Sequence, residues 1–234
     1  YESPTDSGSN NTYVATVRAT DSASNTSDQT VTVTVANVSG SQTGGSGKDT
    51  LTGTTEEDTL SGGKGKDKLY GLAGDDTLNG GKDNDILDGG AGIDTAVFSS
   101  KSNKVDLRKT GRQNTKDGKD TLTGIENVDG GGGKDKITGN NGDNVLDGEG
   151  GKDTIKGKSG DDTLYGGSSN DKLYGDNGAD TLYGGDDKDK LYGGDDNDTL
   201  YGEGSKDTLK GEDGDDTLDG GDDKDKLYGG DDND

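Results

Sequence analysis

Aspartate is the residue whose placement carries chemistry in this chain of 234 residues. Asp49, Asp58, Asp67, Asp76, Asp85 and Asp94 stand nine residues apart, and a second series at the same interval holds Asp135, Asp153, Asp162, Asp171, Asp180, Asp189, Asp198, Asp207, Asp216, Asp225 and Asp234. Only Asn144 breaks the second series. Five residues before each of these 18 positions stands a glycine, and two residues after comes Leu or Ile, with Ala96 as the exception where the first series ends. A carboxylate is a hard oxygen donor, and a chain without Cys or His offers a metal nothing softer than carboxylate and backbone carbonyl oxygen. The same absences exclude a disulfide framework, a thiolate or imidazole metal site, a Ser-His-Asp triad and a His-based acid-base pair. The chain is therefore read as a non-enzyme whose carboxylates are candidate ligands for a hard cation.

Those carboxylates need elements that hold them in order, and bulk composition does not promise any. Leu, Ile, Val and Phe together make up about 14% of the residues, 46 residues are glycine, and 25 basic against 49 acidic side chains leave a formal charge of -24. A chain of such composition is disordered unless its order of residues says otherwise. It has no apolar run that could cross a membrane and no basic patch of the kind that tracks a phosphate backbone, so membrane insertion and nucleic acid are set aside. Order does say otherwise. A fixed nine-residue period is the mark of a repeat architecture, with each glycine in a turn and each Leu on a short strand. Turns with positive φ suit glycine first and Asp or Asn next, and the fourth repeat position follows that order, with Gly in ten repeats and Asp in five. At the eighth position Leu164, Leu182, Leu200 and Leu218 would stack as one inward ladder. One leucine per nine residues is a thin core, so metal binding should carry folding.

Segments such as Gly62-Gly63-Lys64-Gly65-Lys66-Asp67-Lys68-Leu69-Tyr70 and Gly89-Gly90-Ala91-Gly92-Ile93-Asp94 resemble the calcium-binding RTX, or haemolysin-type, nonapeptide repeat. The resemblance implies an all-β fold, a right-handed parallel β-roll. Six residues of each repeat form a turn and three a strand, and two repeats complete one coil. It further implies that calcium sits between successive turns on each edge, held by the aspartates named above and by backbone carbonyls, and that the protein is secreted or on a bacterial cell surface. One ion per gap would give four in the first run and ten in the second. Fourteen divalent ions would bring a chain of charge -24 to near +4.

Two repeats per coil should leave a period of 18, and it is present. Lys48, Lys66, Lys134, Lys152, Lys188, Lys206 and Lys224 fall at position five in one phase, and the other phase has no lysine there. Position seven carries Lys68, Lys136, Lys172, Lys190 and Lys226 in the first phase and Thr163, Thr181, Thr199 and Thr217 in the second. Tyr165, Tyr183 and Tyr201 are 18 apart on the second phase, with Tyr174, Tyr192 and Tyr228 on the first. The lysine-bearing edge is open to two readings: a solvated surface, or a dock for an acidic partner such as another roll or an acidic polysaccharide.

Four regions follow from these patterns. Residues 41–98 and 130–234 are two runs of roll, and 99–129 leave the nine-residue period yet read as strand, either a broad coil or a small cap. In residues 1–40 the stretches Tyr13–Asp21 and Gln29–Val35 alternate apolar and polar residues as two strands of a hairpin. They resemble the last strands of bacterial immunoglobulin-like or cadherin-like surface domains. Two strands cannot close a sandwich, and the chain stops in mid-repeat at Asp234, so both ends read as cut from a larger surface protein. The function read from this is a calcium-stiffened extracellular structural or adhesive segment, capable of assembling into a fibre or surface array. The alternatives are a polysaccharide-binding module or the tail of a secreted hydrolase.

Overall fold

The structure is a computed structural model that describes residues 12–20, 26–34, 40–99 and 101–231. It is all-β, a parallel β-solenoid of about 11 turns with no helix among the described residues. The local cause is the three-residue strand in which Leu or Ile sits between Thr or Lys and a residue such as Tyr or Thr. Alternation sends the central side chain inward and its neighbours outward, as in Thr163–Ser168, Thr181–Asp186 and Lys190–Asp195.

Each coil pairs with the next at an offset of 18. Thr163, Leu164 and Tyr165 lie beside Thr181, Leu182 and Tyr183, which lie beside Thr199, Leu200 and Tyr201, and these in turn beside Thr217, Leu218 and Asp219. The leucine ladder expected from the sequence is thus formed, and its side chains from Leu60 to Leu209 are buried. Strands of one phase build a ten-stranded parallel sheet from Ser41–Thr43 to Thr217–Asp219. Strands of the other phase build the opposite face in two pieces of five and seven strands. The period of 18 read from lysine, threonine and tyrosine is the period of the coil.

Residues 99–129 build a widened coil within this stack. Thr95–Val97 pairs with Asn127–Asp129, which pairs with Val145–Asp147, so the ten-stranded sheet runs straight through. On the opposite face two strands fill the interval. Lys119–Thr123 pairs back onto Ile86–Ala91, Lys104–Asp106 pairs forward onto Lys136–Thr138, and Gln113–Asn114 folds antiparallel against Lys119 and Asp120. The later strand therefore lies beside the earlier coil. Phe98, Val105, Leu122, Ile125 and Val128 fill this coil, a denser apolar set than the regular repeat supplies.

The first 40 residues contain the expected pair of strands, Thr12–Thr20 and Thr26–Thr34, antiparallel and in register from Thr12 opposite Thr34 to Thr20 opposite Thr26. The ends of the two stretches read from the sequence, Asp21 and Val35, lie outside the described residues.

The ladder makes a graded test. Leu182→Ala, at a site with no exposed surface between two other leucines, should cost about 2–5 kcal/mol in the calcium-loaded protein. Leu227→Ala, at a side chain 47% exposed, should cost much less. Thermal melts of the two variants in saturating calcium check the order.

Candidate metal centre

The aspartates at position six form two single files, one along each edge of the roll, and outside the widened coil each is tied to its neighbour 18 residues on. Asp171 shows the pattern. Its backbone N–H donates to Asp189 Oδ1 at 2.7 Å, its carbonyl accepts from the Lys190 N–H at 3.1 Å, and its own Oδ1 accepts from the Asp153 N–H at 2.7 Å. The same N–H to Oδ1 bond joins Asp67 to Asp85, Asp76 to Asp94, Asp162 to Asp180 and Asp180 to Asp198, each at 2.8 Å. Every polar group of such an aspartate is therefore used in coil-to-coil bonding except Oδ2.

That atom is the notable one. In Asp67, Asp76, Asp85, Asp94, Asp135, Asp153, Asp162, Asp171, Asp180, Asp189, Asp198 and Asp207 it is buried and has no hydrogen-bond partner. Buried polar groups are ordinarily paired, and an uncompensated buried charge is strongly unfavourable. Beside each Oδ2 lies the glycine of position one. A Cβ placed on Gly184 would come 2.8 Å from Asp189 Oδ2 and 2.8 Å from the Gly202 carbonyl oxygen, and one on Gly62 would come 2.6 Å from both Asp67 Oδ2 and the Gly80 carbonyl oxygen. Glycine thus leaves open a space in which a carboxylate oxygen and the carbonyl of the next coil, both acceptors, face each other. A cation satisfies that arrangement, and a side chain would fill it. Among the described residues no group of three or more acidic side chains converges on one point.

The turns that supply those carbonyls run through left-handed backbone at two positions. At the fourth, Asp83, Ser169, Asp187, Asp196, Ser205 and Asp223 adopt positive φ where other repeats use glycine, which keeps the turn despite the substitution. At the second, Leu72, Glu149, Lys158, Asp176, Glu203 and Glu212 do the same, a constraint not read from the sequence. Two of these, Lys158 and Asp176, stack 18 residues apart and pair at 2.6 Å.

Of the other sequence-derived candidates, Asp49 and Asp58 sit at the first coils, where Oδ2 accepts from the Gly45 N–H at 2.7 Å and the Thr54 N–H at 2.6 Å. Asp216 and Asp225 continue the files, accepting from the Asp198 and Asp207 N–H groups, and Asp234 lies outside the described residues. Three rungs were missed. Asp120 Oδ1 accepts from the Asp85 N–H, Glu126 Oε2 accepts from the Asp94 N–H, and Asn103 donates its N–H to Asp135 Oδ1. Their signal is the acidic or amide residue two before an apolar one, in Asp120-Thr121-Leu122, Glu126-Asn127-Val128 and Asn103-Lys104-Val105.

Burial raises the pKa of these carboxyls, and the backbone N–H bond to Oδ1 only partly opposes it while nearby acidic side chains, neighbouring rungs for most and the turn residues Asp161, Asp176 and Asp196 for Asp180, raise it further. Asp171 and Asp198 are pushed up to about 8, Asp85, Asp162 and Asp189 to about 7, and Asp180 and Asp207 to about 6. Because the folded values lie above the unfolded value near 3.9, this contribution to stability is fully present below about pH 4 and is lost as pH rises through about 6–8. In calcium-free buffer the far-UV circular dichroism signal of β structure should therefore grow as pH falls from 8 to 5. With calcium the dependence reverses, since protons compete for the same oxygens and apparent affinity should fall over that range. A calcium-free chain that loses β structure on acidification would contradict this.

The sequence pattern of the RTX calcium-binding nonapeptide repeat (4 copies) matches residues 43–78, 65–96, 120–155, 150–182, 165–200, 174–208 and 201–234. No curated protein matches the chain. The match spans more than half of the sequence, and its nine-residue unit is the one that builds each half-coil and each buried aspartate described above. The chain belongs to the family of RTX calcium-binding nonapeptide repeat proteins, and its ligand is Ca2+, taken in multiple copies.

Proposed function

We propose that this chain is an extracellular structural segment, of the kind used in adhesion or surface assembly, whose roll folds and stiffens when calcium enters between successive turns. The observation that carries this reading is the row of twelve buried Oδ2 atoms without a donor. The aspartates named from the sequence are the proposed ligands, the twelve from Asp67 to Asp207 through Oδ2, and turn carbonyls such as those of Gly80 and Gly202 complete the oxygen set. Calcium supplies the positive charge that the interior lacks. A leucine ladder one residue wide leaves little apolar burial to hold the stack without it. Loaded, the ten-stranded sheet is a rod of roughly 43 Å at about 4.8 Å per strand. Such a rod suits a spacer in a surface fibre or array, and calcium at extracellular concentration suits its stiffening. The antiparallel pair Thr12–Thr20 and Thr26–Thr34 belongs, in this reading, to an immunoglobulin-like unit preceding the roll.

Titration of the calcium-free chain followed by far-UV circular dichroism tests this. The β signal should grow strongly as calcium rises. A spectrum unchanged between chelator and millimolar calcium would overturn the proposal, and a chain that sediments as a monomer across that range would remove self-assembly from it.

A second reading, recognition of an acidic polysaccharide, is favoured by one specific observation. The first three residues of every strand in the seven-stranded sheet contain one lysine: Lys104, Lys136, Lys156, Lys172, Lys190, Lys210 and Lys226. Where position seven is Thr154 or Thr208, position nine supplies the charge as Lys156 or Lys210. No strand of the ten-stranded sheet has a lysine. The seven-stranded piece of an acidic protein's surface thus carries a lysine in the first three residues of each strand, a spacing that suits a polymer with one carboxylate per sugar ring. The supporting lysines lie on a sheet face, whereas the position-five lysines lie in turns. Lys172, Lys190 and Lys226 replaced together by Gln should abolish a salt-sensitive retention by a polyuronate; retention equal to that of the unaltered chain would exclude this face.

A further inference from the structure

The files of aspartates change character in the widened coil. At the twelve rungs from Asp67 to Asp207 named above a carboxylate Oδ2 and a carbonyl of the next coil face each other with no donor between them, whereas at Asp49 and Asp58 the Gly45 and Thr54 N–H groups reach Oδ2. At Asn103, buried to 2% exposure, the side-chain Nδ2 donates to the carbonyl oxygens of Gly130 at 2.9 Å, Lys101 at 2.5 Å and Ser99 at 3.3 Å. Asn103 stands nine residues after Asp94, so Ser99 and Lys101 occupy the second and fourth turn positions, and Gly130 is position one of the next coil. The Gly130 carbonyl is the counterpart of the Gly202 carbonyl that faces Asp189. An amide nitrogen here gathers the oxygens that elsewhere have only a carboxylate opposite them.

The neighbouring rungs do likewise by other means. Asp120 keeps its carboxylate, but its Oδ2 accepts a hydrogen bond from the buried Thr115 hydroxyl, which the regular repeat does not have because glycine occupies that position. Asn144, also buried, donates from Nδ2 to the Glu126 carbonyl at 2.8 Å and accepts from the Asn140 N–H at 2.8 Å through Oδ1. Three of the rungs around this coil therefore carry their own donor, and two of them carry no charge. Phe98, Val105, Leu122, Ile125 and Val128 give the same coil more apolar burial than its neighbours.

We infer that residues 95–129, with the Asn144 rung, form a calcium-independent nucleus inside a calcium-dependent roll, with Asn103 Nδ2 and Thr115 Oγ1 in the place of the cation. Calcium-driven order then spreads from this coil along both runs, since each new coil needs a formed one to pair with. This rests on the calcium-driven folding proposed above and assigns where it begins.

Hydrogen exchange read by mass spectrometry on the whole chain in chelator at neutral pH tests it. Peptides covering 95–129 should exchange at least about tenfold more slowly than peptides covering 163–213, and calcium should bring the latter to the same protection. Equal, fast exchange along the roll in chelator would overturn the inference while leaving calcium-driven folding intact. Equal, slow exchange in chelator would overturn both. Asn103→Asp removes the donor and adds a charge, so the slow exchange of 95–129 should be lost in chelator and recovered in calcium. Retention of that protection in chelator, or no recovery in calcium, would count against Asn103 as the cation's substitute. Thr115→Val gives a second check at Asp120, with the same loss expected in chelator and the same result counting against it.

Discussion

A carboxylate cannot lend one oxygen to a fold without bringing the other. In this roll Oδ1 of each aspartate accepts the backbone N–H of the aspartate one coil earlier, which is the bond that stacks the turns. The turn is too tight for Oδ2 to reach solvent, so coil stacking and a buried, unpaired oxygen come together at one residue. Desolvating a carboxylate costs several kcal/mol even after relaxation. The apolar ladder of the regular coil is one side chain wide on each face and cannot offset a charge at every rung. The calcium-driven folding proposed above is, in that reading, a consequence of how the coils hold together.

The outer surface separates by phase what the interior repeats identically. On the ten-stranded face Tyr165, Tyr183 and Tyr201 stack with centroids 5.0 Å apart and nearly parallel planes, and on the seven-stranded face Tyr174 and Tyr192 stack at 4.8 Å. Rings stacked along the roll axis cover each other's faces and present their edges outward. They hold neighbouring strands together and leave little aromatic surface for a sugar ring to lie on. Lys156 lies 4.2 Å from the Tyr174 ring centroid, and Lys210 lies between the rings of Tyr192 and Tyr228 at 5.5 and 6.0 Å. These lysines extend the aromatic column by cation–π contact where tyrosine is missing. The basic character of that face is thus partly structural, and what a polyanion would meet is ammonium groups and phenol edges.

Much of the fold and site was legible because the repeat is strict. Asp67, Gly62 and Leu69 recur at fixed offsets, and a lysine or threonine at position seven discloses the phase, so the coil of 18, the two faces and the leucine ladder could be read without coordinates. Asp120, Glu126 and Asn103 could not. Their partners stand 35, 32 and 32 residues away instead of 18, so no period connects them, although each keeps the local spacing to an apolar residue. The left-handed backbone at Leu72, Lys158 and Glu212 was hidden for a different reason. Residue types as unlike as Leu, Lys and Glu adopt it there, so no single residue type marks it in the sequence.

Sequence alone determined the ligand class and the repeat. Oxygen donors at a spacing of nine, with glycine five residues before and leucine two after, admit a hard cation and a roll, because residue type limits donor chemistry and period limits geometry. Tertiary structure alone decided which oxygen of each carboxylate is left over and which rungs supply their own donor. Both depend on contacts between coils: Oδ2 is orphaned only because the preceding coil's backbone N–H has claimed Oδ1, and Asn103 Nδ2 and Asp120 Oδ2 find partners only because Gly130 and Thr115 are folded against them. The charge of -24 that reads as disorder in composition becomes, once stacked, the arrangement that calcium completes.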